Sequence, residues 1–144
     1  MAKSGHLKSS PETICLLDSD VIINWLTKEE TSEANLWEAP HKIIRLMEEN
    51  IIDGYATIIG LLEIRFVLRR KKNLSDDKIK DDVAKILNVL EILVPDEVNL
   101  LKANGLQSDI SFLSPFDAIF IAVGLSMKNA ALISRDKYLL QTAS

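Results

Sequence analysis

Four apolar residues run straight into two carboxylates at Ile14-Cys15-Leu16-Leu17-Asp18-Ser19-Asp20, and no other stretch constrains the fold as tightly. A strand covered on both faces is apolar without alternation, which is how a strand inside a parallel sheet reads. Ligands of open α/β sheets gather outside the carboxyl ends of the strands, so Asp18 falls where chemistry is expected. A structural role competes with that one. Asp and Ser are favoured N-caps, and the apolar-periodic run Val21-Ile22-Ile23-Asn24-Trp25-Leu26 follows as a helix. On this stretch alone the two roles stay open.

The rest of the chain alternates helices with short apolar strands. A helix is expected to start at Ala34 or Pro40 and end near Asn50, with Ile43, Ile44 and Met47 inward and Pro40 tolerated in the first turn. Asp53-Gly54 reads as a turn, Tyr55-Ala56 as a very short strand, and Thr57 as the cap of a helix ending near Lys71. Ser75 caps the next helix, whose inner face is expected at Ile79, Val83, Ile86, Leu87 and Leu90. A strand from Glu91 is stopped by Pro95, and a helix from Asp96-Glu97 runs toward Gly105, the expected left-handed terminus. Ser114-Pro115-Phe116-Asp117 is a strong helix start, and Ala130 to Ser134 is the fourth strand. The expected architecture is therefore α/β, with a short parallel sheet of four to five strands between layers of helices.

Composition narrows the class. A chain of 144 residues that is 47% apolar and 26% charged matches one globular domain, burying roughly two-thirds of its unfolded surface. Residues 1–11 read as a disordered leader and residues 12–144 as the single domain. No apolar run approaches the ~20 residues of a membrane span, and the polar start lacks a signal peptide's apolar core. A soluble, cytoplasmic protein is expected. Cys15 is the only cysteine, so it cannot form an internal disulfide, and its place in the first strand suits a buried small hydrophobe. His6 and His41 are too few and too far apart for a histidine metal site, so a bound metal would take oxygen ligands. A net charge of −4 argues against coating nucleic acid through bulk charge, while allowing local contacts to phosphates.

Four acids stand out by context. Asp18 follows the first strand and Asp136 follows the fourth, so parallel neighbouring strands would bring both to one sheet edge. Glu63 sits among Leu61, Leu62, Ile64 and Phe66, where an ionised carboxylate needs a partner. Arg65, two residues on, points to another side of the helix and is a poor partner, which favours a metal ligand. Asp117 opens a helix that is apolar almost all round, although an acid in a first turn is also favoured by the helix dipole. Clustered carboxylates repel unless protonated or neutralised by a cation, for which Mg²⁺ or Mn²⁺ is the natural choice. The basic run ending the Glu63 helix is mainly a solvated terminus, yet Arg65 and Arg69, one turn apart, are candidates to hold an RNA backbone.

Taken together, these four acids in this order and context resemble the PIN-domain nucleases, from about Thr13 to Leu140. The resemblance implies a three-layer PIN fold and metal-dependent hydrolysis of RNA phosphodiesters. It assigns Asp18, Glu63, Asp117 and Asp136 as catalytic and metal-binding acids, and Ser134 as an accompanying hydroxyl. Asp20 stands where the family commonly has Asn or Ser, and its role is open. The chain also departs from many members in having only residues 137–144 after the fourth acid, expected as a short helical turn, so a last edge strand is in doubt. Similarity to VapC-type toxins implies an antitoxin partner and a homodimer, for which the apolar content of the helices over residues 40–71 also speaks. Two rival readings stand beside this one. Leu16-Leu17-Asp18-Ser19-Asp20-Val21 also resembles the nucleophile motif of haloacid-dehalogenase-type phosphatases, in which Asp18 would attack phosphorus. A non-catalytic PIN scaffold that binds RNA or a protein is the other.

Overall fold

In a computed structural model, residues 13–28 and 35–136 are described. The expected leader over residues 1–11 and the expected turn over residues 137–144 lie outside them. Four strands form one sheet: β1 (Ile14–Leu17), β2 (Asp53–Thr57), β3 (Glu91–Leu93) and β4 (Ala130–Ile133). Their order is β3-β2-β1-β4 and every pairing is parallel. β1, the most apolar strand, is central, because only a central strand is covered on both faces.

Alternation along β1 separates the two layers. Cys15 and Leu17 face one side, where they meet helices α1 (Ser19–Thr27), α2 (Glu38–Glu48), α3 (Ile58–Arg70) and α4 (Asp76–Val89). Leu16 faces the other, against Ala103 of α5 (Glu97–Asp109) and Ile121 and Ala122 of α6 (Pro115–Ser126). This is the expected helix–sheet–helix sandwich, a PIN-like α/β fold with four strands.

Several local expectations are corrected. Asp53-Gly54 is not a turn: both residues belong to β2, with Ile14 paired to Asp53 and Cys15 to Gly54. Glycine is needed there for packing, since a Cβ at Gly54 would overlap the Met47 sulfur and a Leu90 methyl. Valine is the better strand former, yet Gly54→Val is expected to destabilise the protein by about 1–3 kcal/mol, the usual cost of overpacking. A melting experiment decides the sign, because without the clash valine would raise the melting temperature. Gly105 does not end its helix; α5 runs through it to Asp109. Left-handed residues among those described are instead Lys28, Asn50, Asn73 and Asn129, and three of the four are asparagine, the residue after glycine that best tolerates this conformation.

On α4 the inner face is Ile79, Asp82, Val83, Ile86 and Val89, while Leu87 is exposed. Leu87 follows Ile79 by eight residues, which carries it past the edge of the stripe. Asp82 is fully buried: its Oδ1 accepts from Lys78 Nζ at 2.7 Å, and its Oδ2 has no partner among the described residues. Leu62 and Phe66, expected to flank Glu63 on an apolar face, are exposed at 55% and 59%. The buried face of α3 is Leu61, Ile64 and Leu68.

Candidate active site

Topology assembles the site from four places in the chain. β1 hands directly to α1 through Asp18, whose extended backbone (φ −74°, ψ 156°) makes it the N-cap. Its Oδ1 accepts from the amide of Ser19 at 2.8 Å, and its Oδ2 accepts from the Ser134 hydroxyl at 2.8 Å. Asp18 is therefore both a cap and a member of the cluster, so the two roles left open by the sequence coexist. Register explains the second bond. Leu17 pairs with Ile133 in the parallel ladder, and the Asp18 amide donates to the Ile133 carbonyl at 2.9 Å, so the residues after the two strands arrive side by side.

Two serines tie the acids together. The Ser134 hydroxyl, besides donating to Asp18, accepts from the Asp136 amide at 3.0 Å. Ser19 is 7% exposed, and its hydroxyl donates to Glu63 Oε1 at 2.7 Å across from α3. Glu63 thus finds its partner in a serine hydroxyl rather than in Arg65. A continuous chain of hydrogen bonds runs from Glu63 through Ser19, Asp18 and Ser134 to Asp136. Asp117, in the first turn of α6, donates its amide to the Ser114 hydroxyl at 3.1 Å, the cap bond that the Ser-Pro start foretold.

The electrostatics show which charges feel one another. Burial, then the neighbouring charge of Asp20, raises the Asp18 carboxyl from 3.8 to about 7, against the bonds from Ser134 and Ser19, with Asp117 adding a smaller push. Burial also raises Asp117, with a further push from Asp136 and relief from the Ser114 hydroxyl. Asp20 is raised by burial and by Asp136, opposed by the amides of Val21 and Arg135 and by the Arg135 charge. Its Oδ1 is buried without a partner among the described residues. Asp18, Asp20, Asp117 and Asp136 therefore share one sheet edge, with Glu63 moored to it by Ser19.

The Asp18 carboxylate is held by a hydroxyl and an amide, and that of Glu63 by a hydroxyl. Among the described residues no three acidic, histidine or cysteine side chains already stand as a metal cage. The donor set nevertheless fits a hard divalent cation. It is all oxygen, burial disfavours the charged forms of Asp18 and Asp117 within it, and Asp20 beside it has a buried unpartnered oxygen, while Mg²⁺ needs only one or two direct carboxylates and keeps several waters. Arg65 and Arg69 are exposed on α3, the helix that also carries Glu63, and Arg69 pairs with Asp76 at 2.7 Å. Sequence reasoning missed Ser19 and Arg135. Locally Ser19 signals only a helix cap, and its contact with Glu63 spans 44 residues, beyond any local spacing rule.

A parallel sheet flanked by helices, with its acids drawn to the carboxyl edge of the strands, defines the class that the sequence resemblance pointed to. The chain belongs to the PIN-domain family, whose model matches residues 15–138. A search of curated proteins finds no match. PIN domains are typically nucleases that bind nucleic acids and use divalent metals. Among the described residues no helix is long and apolar enough to cross a membrane.

Proposed function

We propose that this protein is an endoribonuclease that hydrolyses RNA phosphodiester bonds with Mg²⁺ or Mn²⁺ held by Asp18, Glu63, Asp117 and Asp136. The observation that carries this reading is the serine-linked acid edge, in which Asp18 is destabilised as a carboxylate until about pH 7. When bound, such a cation neutralises phosphate charge and makes water nucleophilic near neutral pH. Hydrolysis forms a bond from the water oxygen to phosphorus and breaks the bond to the leaving sugar oxygen, which takes up a proton.

This chain's residues supply position and proton handling. Ser134 holds Asp18 Oδ2 and Ser19 holds Glu63 Oε1, so each carboxylate keeps a fixed orientation, and outer partners of this kind are commonly worth 10–100-fold in metal affinity or activity. Asp20, with its buried free oxygen, is placed to hold a proton beside the reacting group, and Arg135 beside it offsets part of the negative charge.

Incubating RNA with the protein under Mg²⁺, Mn²⁺ or EDTA tests the reading. Cleavage is expected with either metal and none with EDTA. Because a cation competes with the proton on Asp18, the stabilisation of the protein by Mn²⁺ should grow from pH 6 to pH 8. Cleavage that survives chelation removes the metal from the proposal, and inactivity under every metal favours a binding-only scaffold. Trapping a phosphate on Asp18 would instead favour the phosphatase reading.

Similarity to VapC-type toxins extends the proposal to a cytoplasmic toxin with an antitoxin protein as partner, and to a homodimer. Exposed Val98 and Leu101, one turn apart at the start of α5, and exposed Val94 just before that helix offer an apolar surface for a second copy. Light scattering is expected to return twice the chain mass; a monomer across a wide concentration range removes the dimer.

A further inference from the structure

The outward side of α3 carries a pattern that neither the core nor the acid edge explains. Leu62, Arg65, Phe66 and Arg69 are all exposed and stand at positions i, i+3, i+4 and i+7, so they form a single stripe on the helix. Opposite it, Leu61, Ile64 and Leu68 are buried against the sheet side, so the stripe is not surplus core. Phe66 is 59% exposed although burying a phenylalanine is worth about 1.5–3 kcal/mol. The stripe begins beside Glu63, whose carboxylate reaches the acid edge through Ser19, and Phe66 is one turn from Glu63, with its side chain leaning back toward that turn.

We propose that this stripe is a binding track for single-stranded RNA beside the acids, in which Phe66 stacks an unpaired base while Arg65 and Arg69 take flanking phosphates. This rests on the nuclease reading above. Every base offers a π face to an aromatic ring, and arginines spaced by one turn meet a charged backbone running along the helix. The Arg69–Asp76 pair does not block this. Both side chains are largely exposed, at 61% and 84%, and pairs of that kind contribute little and are screened by salt. Charge also selects the occupant. The protein as a whole is acidic, so this is a local positive feature, whereas a second copy docked on the same stripe about a twofold axis would bring like arginines together.

Fluorescence anisotropy of a labelled oligouridylate, with the full chain in EDTA so that the strand stays intact, reads the track at several NaCl concentrations. Phe66→Ala is expected to weaken binding by about 5- to 150-fold at every salt concentration, the range given by 1–3 kcal/mol per stacked base, and to leave the slope of log affinity against log salt unchanged. Phe66→Trp should retain binding and show indole quenching when the oligonucleotide is added. Arg65→Gln should weaken binding most at low salt and flatten the slope by about 0.7, the value for one phosphate contact on a single strand. Since both residues are exposed, the variants should melt like the parent.

If the parent binds and cuts RNA and Phe66→Ala does both equally well, the track is overturned and the nuclease reading stands. If the parent neither binds nor cuts any RNA, the nuclease reading itself falls. If Phe66→Ala changes the oligomeric mass and not RNA binding, the stripe is a contact between copies, and the track is likewise overturned.

Discussion

Asp117→Asn is expected to abolish RNA cleavage and to leave the metal-free protein at least as stable as the parent. Asparagine keeps the shape of the side chain and the amide bond to Ser114, and it removes a carboxylate that burial and Asp136 disfavour in its charged form. A purely structural Asp117 makes the opposite forecast. An acid in the first turn of a helix stabilises it by about 0.3–1 kcal/mol through the dipole, which asparagine would forfeit. Melting curves in EDTA and again in excess Mn²⁺, run beside the RNA assay, separate the two. A ligand at Asp117 makes the metal raise the parent's melting temperature far more than the variant's. Equal metal responses, or cleavage at the parent rate, would remove Asp117 from the site.

β1 and β4 were legible because both are apolar throughout and each runs into a polar cluster, whereas β2 opens on Asp53-Gly54 and so was legible only in its second half. Helix starts were legible for a related reason: Thr57, Ser75, Asp96 and Ser114 are side chains that satisfy free amides, and all four accept the expected bonds. Helix ends were harder. Gly105 attracted the terminus that belongs to Ile110, while Asn50, Asn73 and Asn129 carried the left-handed geometry. Gly54 misled in the same way, since a glycine that yields space to Met47 and Leu90 has the same letter as one that makes a turn. Packing decides between those uses, and packing is not local.

The same limit applies to the site. Asp18, Asp117 and Asp136 each sit at a strand end or a helix start, and the parallel order of the sheet gathers such ends along one edge. Ser19 lay hidden because its partner Glu63 is on another helix, and only the packing of α1 on α3 brings the two together. Asp82 was invisible for the converse reason. An acid between Asp81 and Val83 in a highly charged helix looks solvated until the helix is turned with Ile79 and Ile86 inward.

The acid edge should also leave a mark on stability that asparagine at Asp18 erases. In the folded protein the Asp18 carboxyl titrates at about 7, against 3.8 for its ordinary value. A carboxyl whose pKa is raised by folding binds its proton more tightly in the native state, so between roughly pH 4 and pH 7 the folded form holds more protons than the unfolded form. Stability from this group is then complete below about pH 4 and is lost as pH rises through 7. The difference corresponds to at most about 4 kcal/mol, part of it shared with Asp20, which pushes in the same direction. Asn is as good an N-cap as Asp, so Asp18→Asn removes the charge without removing the cap of α1. In EDTA the variant should melt close to the parent at pH 4.5 and above it at pH 8. Even ~2 kcal/mol moves the melting temperature of a domain this size by roughly 6 °C. In Mn²⁺ the order should reverse at pH 8, because the parent gains a bound cation that the variant cannot hold as tightly. Parallel melting curves for the two proteins from pH 4.5 to pH 8 without metal would show that neither burial nor the Asp20 charge holds Asp18 against ionisation at this edge.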